Sequence, residues 1–336
     1  MIYQITYGIS YGDAVGNEIM AIHRMLKMRG IPTEIRAERV SRRMSIEPAV
    51  RKLNDSVKPS PSDTIIFHVT CGCDLNLKVF EYGCRVVLRY HNITPPEFFE
   101  GFNDSLRDNS VLGREQLKEM AGKTAFVLAD SGYNRDDLIS LGFTCQVHVV
   151  PILMKPIKPG RTAPDLHRIL SVGRIAPHKR VDSVIKAFAE YQRVYDNRAV
   201  LIIAGSDKGL EKCSHSLKEF CGRVWGESPK RGENSGLRPP YFAGHITNAR
   251  LKRYFRSAGL YVTMSEHEGF CVPVVEAMEY GIPVIAAGSS AIPETLGGSG
   301  ILLEDRDPAV VSEAMHRAVS DAAYREQIIA GQRSRA

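Results

Sequence analysis

Two glutamates, Glu268 and Glu276, stand eight positions apart in the string Ser265-Glu266-His267-Glu268-Gly269-Phe270-Cys271-Val272-Pro273-Val274-Val275-Glu276-Ala277-Met278. The β-rich run Leu260 to Met264 precedes the string and the helical pattern Val274 to Tyr280 ends it, so it lies where a strand hands over to a helix. Open α/β sheets bind ligands at that carboxyl edge, and the unpaired amides of a helix start suit an anion or a sugar hydroxyl. Two carboxylates aimed at one such place can each grip a hydroxyl pair of a sugar. Alone, the same two residues would read as a dipole-favoured helix-start carboxylate and a solvated helix residue; the string around them decides between the readings.

Cations occupy a comparable place in Val172-Gly173-Arg174-Ile175-Ala176-Pro177-His178-Lys179-Arg180-Val181-Asp182. A lone Arg or Lys in a loop is usually solvent-exposed, but Arg174 and Lys179 follow a strand and precede an amphipathic helix. His91, in Val87-Leu88-Arg89-Tyr90-His91-Asn92-Ile93-Thr94-Pro95-Pro96-Glu97-Phe98-Phe99, also follows a strand. Of the histidines it is the one read as functional; His68, His148 and His245 read as structural or held for their backbone. The first strand feeds a helix through Tyr11-Gly12-Asp13-Ala14-Val15-Gly16-Asn17, whose glycines do not make G-x-G-x-x-G, so no dinucleotide fingerprint is present.

Short β-rich runs alternate with helical patterns along the whole chain, the sequence form of βα units and parallel sheets. In the first half the runs are Ile2 to Thr6, Thr64 to Val69, Arg85 to Tyr90, Thr124 to Ala129 and Gln146 to Val150; Ile19, Ile22 and Leu26 mark a helix stopped at Gly30-Ile31-Pro32. The Pro-rich stretch from Pro151 to Gly160 breaks the pattern and sets the boundary between residues 1–152 and residues 153–336. Beyond it come strands Arg168 to Val172, Ala199 to Ala204, Tyr241 to Ala243, Leu260 to Met264 and Pro283 to Ala287, with helices from Val181, over Ala249 to Ala258 and over Val274 to Tyr280. Residues 226–240 read as an exposed loop.

A chain of 336 residues suits two domains, and 43% hydrophobic with 24% charged residues is ordinary globular composition. No signal peptide or membrane-length apolar run is legible, so a cytosolic protein is expected. The seven cysteines show no zinc-ligand spacing and read as reduced thiols. The net charge of +6 suits an anionic partner. Nucleic acid ranks low for want of a recognition motif, while Arg42, Arg43, Arg51, Lys52 and Lys58, read as lying between strands, form a basic segment that an anionic membrane surface or plain solvent would suit.

The string around Glu268 and Glu276 closely resembles the E-x7-E signature of family 4 of the retaining glycosyltransferases, and further landmarks follow in order along nearly the whole chain. The resemblance implies a GT-B fold: an N-terminal acceptor-side Rossmann-like domain and a C-terminal nucleotide-sugar domain, with a cleft that closes between them. It implies a retaining transfer of a hexose-type sugar from a UDP or GDP sugar to a glycan or lipid-linked acceptor, such as those of cell-envelope polysaccharide synthesis, with no cofactor. Glu268 with Gly269, Phe270 and Cys271 would contact the donor sugar and Glu276 the ribose. Arg174 and Lys179 would clamp the diphosphate, and such a pair can stabilise the departing charge without a metal. Gly205, His245 and Ile246 would frame the base, Gly12 and Gly16 would close on the donor phosphates, and His91 would face donor sugar and acceptor. Cys271 stands where many members carry Gly.

Asp305-Arg306-Asp307 has the D-x-D spelling that metal-dependent glycosyltransferases of another fold use, but Pro308 follows, so Asp307 reads as a helix cap and no catalytic metal is expected. Two alternatives stand beside the transferase: a phosphorylase or epimerase of the same architecture, and a catalytically silent sugar-nucleotide-binding partner of a glycan assembly complex.

Overall fold

The computed structural model describes residues 1–54, 56–226 and 237–336. The chain forms two compact units, Met1–Pro156 and Ile157–Ala336.

In the first unit the order is β1 (Ile2–Ile9), α1 (Ala14–Met28), β2 (Thr33–Val40), β3 (Val50–Lys52), β4 (Thr64–Val69), α2 (Leu75–Lys78), β5 (Arg85–Tyr90), α3 (Asp104–Ala121), β6 (Val127–Ala129), α4 (Gly132–Ser140) and β7 (Val147–Val149). The strands form one parallel sheet in the order β3-β2-β1-β4-β5-β6-β7. Strand order reverses between β1 and β4, and at such a switch point the loops leaving the two strands diverge and open a crevice. Ile5, Ile65, Phe67, Leu88 and Val127 bury one core; Ile9, Ile19, Ile35 and Ala37 bury another under α1. Each such large side chain contributes roughly 1.5–3 kcal/mol on leaving water.

The second unit runs β8 (Asp165–Val172), α5 (Val181–Val194), β9 (Val200–Ala204), α6 (Glu211–Trp225), β10 (Tyr241–Gly244), α7 (Asn248–Ser257), β11 (Ala258–Thr263), α8 (Val272–Glu279), β12 (Val284–Ala287), α9 (Ile292–Leu296), β13 (Ile301–Leu303), α10 (Pro308–Ser320) and α11 (Ala322–Arg335). Its parallel sheet has the order β10-β9-β8-β11-β12-β13 and reverses between β8 and β11. Every residue of β11 and β12 is buried; strands covered on both faces read as unbroken apolar runs.

Several sequence expectations change. The run Thr124 to Ala129 begins its strand only at Val127, because the Thr124 hydroxyl donates to the Met120 carbonyl (2.8 Å) and belongs to the turn that ends α3. Arg51 and Lys52 sit on the edge strand β3 and not between strands. Asp307 accepts from the Ala309 amide at 2.8 Å and caps α10, with Pro308 as its first residue. Most of the expected loop at 226–240 lies outside the described residues. Among the described residues no helix is long and apolar enough to cross a membrane.

Candidate functional site

In the second unit the loops after β8 and β11, on either side of the switch point, carry the cations and carboxylates singled out by sequence. The Lys179 ammonium lies 2.7 Å from Glu268 Oε2, with both side chains largely buried. Arg180 bonds Glu266 and, at 3.1 Å, Asp182, and the Glu266 amide donates to the His178 carbonyl at 2.7 Å. These contacts tie the two loops together. Arg174 is exposed beside them, donating to the Lys208 carbonyl at 3.0 Å.

Glycine explains how the neighbouring turns approach so closely. A Cβ on Gly205 would lie 1.6 Å from the Gly173 carbonyl oxygen. The backbone instead threads Gly173 N to Ala204 O (3.0 Å), Ile175 N to Ser206 O (2.9 Å) and Gly205 N to Gly244 O (3.1 Å), so the ends of β8, β9 and β10 form one stitched rim. His245 stands exposed on that rim and Ile246 is half-buried, with Thr247 capping α7.

Glu276 projects from α8, half-buried, and its carboxylate has no hydrogen-bond or ion-pair partner among the described residues. Burial raises its pKa from 4.5 to about 7, against the opposing pull of Lys252. Cys271, at the start of α8, has φ 71. This is the conformation that glycine adopts without strain, which gives a physical reason for the Gly that the resembling family carries there. Phe270 is held through its carbonyl by the Thr295 hydroxyl. Four residues other than glycine hold left-handed backbone among the described residues: Asn92, Arg180, Cys271 and Ser290. Each lies in a loop leaving the carboxyl end of a strand, where stored strain often marks a functional surface.

Sequence reading missed the supports of this site. Ser290, after β12, accepts the Glu268 amide at 2.8 Å. Arg306, inside the D-x-D spelling, donates to the Met264 carbonyl at 3.0 Å and to the Ser289 hydroxyl at 2.5 Å, bracing the start of the Glu268 loop. The signal available was positional: both follow strands of the same sheet edge.

In the first unit, His91 is drawn inward. Its side chain is 2% exposed, with Nδ1 3.0 Å from Asp130 and Nε2 2.9 Å from His68 Nδ1. Gln4 donates to the Ile19 carbonyl, so its amide oxygen faces His68 Nε2 at 3.3 Å. His68 is wholly buried and its pKa falls well below the usual value, chiefly by desolvation, so it is neutral and donates to Gln4. Its Nδ1 then accepts from His91, and both His91 nitrogens act as donors within the protein. Beside them Arg89 lies 2.6 Å from Glu18 and 2.8 Å from Asp130 and donates to the Val150 carbonyl at 2.7 Å. Ligand atoms of Glu18, His68 and His91 lie within 4.8 Å of one another, a spacing a metal ion can use, and each of the three already has a protein partner. In the loop after β1, Asp13 accepts the Gly16 amide at 2.5 Å, and a Cβ on Gly16 would meet the Ser10 carbonyl at 2.4 Å; Gly12 has φ 85.

Residues 167–321 match the family model described as glycosyl transferases group 1. No curated protein sequence matches the chain. Among solved structures, Anabaena HepE in complex with UDP and glucose aligns with a TM-score of 0.71 at 15% identity, over 98% of this chain and 94% of that one. WaaG, a glycosyltransferase involved in lipopolysaccharide biosynthesis, aligns with a TM-score of 0.67 at 14% identity, over 99% and 94%. TarM aligns with a TM-score of 0.63 at 17% identity, over 82% of this chain; the chain spans about half, 52%, of TarM. The chain has the two-domain, Rossmann-like GT-B fold, and at these identities the likeness speaks for the fold alone.

Proposed function

We propose that this chain is a glycosyltransferase whose second unit binds a nucleoside diphosphate sugar at the β8/β11 switch point. The observation that carries the reading is the Lys179–Glu268 pair at 2.7 Å: an ammonium suited to phosphate and a carboxylate suited to sugar hydroxyls, side by side at the edge where such a sheet takes ligands. The glycosyl transferases group 1 match runs through both residues.

Arg174 and Lys179 hold the diphosphate and offset the charge that builds on it as the glycosidic bond breaks; an aligned guanidinium and ammonium do this without reorganising in the transition state. Phosphate recruits Lys179 away from Glu268, which frees that carboxylate to accept sugar hydroxyls. Glu276, unpaired and half-buried, accepts from the ribose. Gly205, His245 and Ile246 line the stitched rim that takes the base, and Gly269, Phe270 and Cys271 shape the turn beside the sugar.

The first unit serves the acceptor, with the loop from Gly12 to Gly16 and the Arg89 network at its strand ends. His91 positions that network, since its ring nitrogens are spent on His68 and Asp130. The transfer retains configuration, needs no metal, and moves a hexose-type sugar from a UDP or GDP donor to a glycan or lipid-linked acceptor. HepE binds UDP and WaaG is involved in lipopolysaccharide biosynthesis; these support the donor class and an envelope acceptor.

Calorimetric titration with UDP and GDP, followed by product analysis with labelled UDP-glucose and GDP-mannose, tests the reading. Nucleotide binding with release or transfer of the sugar is expected. Binding without turnover across donors and acceptors points to the silent partner, and no binding at all refutes the site.

A further inference from the structure

The crevice at the first unit's switch point is flanked by Cys71-Gly72-Cys73, the segment that leaves β4, and none of the chemistry above uses it. Cys71 is half-buried and Cys73 almost fully buried. The backbone between them is clamped from one side by α3. Asn109 donates to the Gly72 carbonyl at 2.6 Å, the Cys73 amide donates to Gln116 Oε1 at 3.1 Å, and Gln116 Nε2 donates to the Cys73 carbonyl at 2.9 Å. Asn76 Nδ2 reaches the Cys71 carbonyl at 2.9 Å. Gly72 lies so close to Gly113 that a Cβ on it would come within 2.4 Å of the Asn109 carbonyl and 2.6 Å of the Gly113 amide. With every polar backbone contact directed at α3, the segment holds two thiols, two residues apart, in a fixed relation.

The two sulfurs are hydrogen-bonded to each other. The Cys71 sulfur also accepts from the Thr70 hydroxyl at 3.7 Å, and the Cys73 thiol lies 3.2 Å from Asn76 Oδ1. Arg39, held over the Tyr7 ring on the neighbouring strands, adds positive potential at Cys71, opposed by Glu38. Donors and a cation around one sulfur, with a second thiol beside it, are the surroundings in which a thiolate is stabilised and an attacked sulfur is promptly resolved.

We propose that Cys71 and Cys73 form a reactive dithiol: Cys71 is the chain's nucleophilic thiol towards hydroperoxides, and Cys73 resolves it into a reversible disulfide. The Cys71 thiolate attacks the distal oxygen of the peroxide; the O–O bond breaks, alkoxide or hydroxide leaves and takes up a proton, and Cys71 becomes a sulfenic acid. The Cys73 sulfur then attacks the Cys71 sulfur, the S–O bond breaks, and the hydroxyl leaves with the Cys73 proton as water. Two thiols and one hydroperoxide yield one disulfide, one alcohol or water from the peroxide, and one further water. Any dithiol reductant reverses the change.

The other cysteines contrast with Cys71. Hydrogen bonding from Cys73, with help from Thr70 and Arg39, brings the Cys71 thiol down to about 7. Its bond to Cys71 and burial push Cys73 up. Burial raises Cys84, Cys145 and Cys271, and takes Cys213 and Cys221 to about 11.

The test is independent of any sugar chemistry. The full-length reduced chain is treated briefly with iodoacetamide at neutral pH and mapped by peptide mass spectrometry; Cys71 should alkylate about tenfold or more faster than any other cysteine. Hydrogen peroxide should then remove the mass of two hydrogens from the peptide holding Cys71 and Cys73, and dithiothreitol should restore it. In C73S the reaction should stop at a dimedone-trappable sulfenic acid on Cys71, and in C71S it should not begin, with far-UV circular dichroism confirming that both variants fold. If a variant unfolds, the wild-type peptide map decides alone. Alkylation of Cys71 no faster than that of Cys213, or peroxide oxidation elsewhere with the pair left reduced, overturns the proposal.

Discussion

Glu276 should make nucleotide affinity and fold stability respond to pH in opposite directions. Its carboxyl is raised from 4.5 to about 7 because burial disfavours the charge and Lys252 only partly compensates. The unfolded chain releases this proton near 4.5, whereas the folded chain holds it until about 7. Between those values the folded state binds more protons, so stability falls as pH rises through that window and levels off above it. At ~1.4 kcal/mol per unit the ceiling is about 3 kcal/mol, and because the group is half-buried we expect about 1–2 kcal/mol. The ribose needs the ionised carboxylate as an acceptor. About a tenth of the molecules carry it one unit below the pKa and about nine-tenths one unit above, so UDP affinity should rise roughly tenfold from pH 6 to pH 8. Glu276→Gln should erase both trends: relative to wild type it should stabilise the free protein at pH 8 by about 1–2 kcal/mol in urea unfolding, while binding UDP weakly at either pH. Calorimetric titration of both proteins at both pH values isolates the Glu276 contribution from other titrating groups. A wild-type affinity that does not change with pH, or a change that Glu276→Gln retains in full, refutes the ribose assignment.

Further outcomes follow from the other contacts. Arg174→Ala and Lys179→Ala should each weaken UDP binding by about 1.5–3 kcal/mol in calorimetry, the loss of one charge-assisted contact. Gly205→Ala should destabilise the chain by about 3 kcal/mol or more in denaturant unfolding, because its Cβ would fall 1.6 Å from the Gly173 carbonyl. Arg89→Met should cost about 3–5 kcal/mol in the same assay, since it strands the buried carboxylates of Glu18 and Asp130. Transfer should survive EDTA; loss on chelation and rescue by magnesium or manganese would bring the spacing of Glu18, His68 and His91 back into play as a metal site.

What the sequence disclosed depended on how each element hides its backbone. Strands buried on both faces, such as β11 and β12, are continuous apolar runs and were legible as strands. The β2 strand passed unread because Glu34, Arg36 and Glu38 break its apolar residues into alternation, and β3 and β13 are three residues long. The long helix α3 carries few apolar residues, and its Gly113, a poor helix former, is kept by the contact with Gly72 that no local pattern encodes. The loop residues of the second unit were visible because chemistry and position coincide at Arg174, Lys179 and Glu268. The pairing of Lys179 with Glu268 was not visible, for it joins loops that a long stretch of chain separates. His91 shows the opposite limit: its place after a strand was readable, but the inward turn of its ring depends on Glu18, His68 and Asp130, contributed by three other elements.

The two sheets share one strand order around their switch points, yet the residues there have diverged. At β8/β11 cations and carboxylates reach the surface of the loops: Arg174 is exposed, Glu276 keeps an unpaired carboxylate, and Lys179 is neutralised only by Glu268, a partner that a phosphate can replace. At the strand ends of the first unit the strongest charges turn inward, Arg89 against Glu18 and Asp130, each 1% exposed. Compensated inside, that network gives up little to an anion in the crevice, because a ligand would have to displace contacts already made in a low-dielectric interior. The loops flanking the β1/β4 crevice instead offer Asp13, Thr70 and the thiols of Cys71 and Cys73. A nucleoside diphosphate is therefore favoured by the second sheet and not by the first, although both have the topology for it, and the division between donor and acceptor duties rests on which charges each sheet edge leaves unspent.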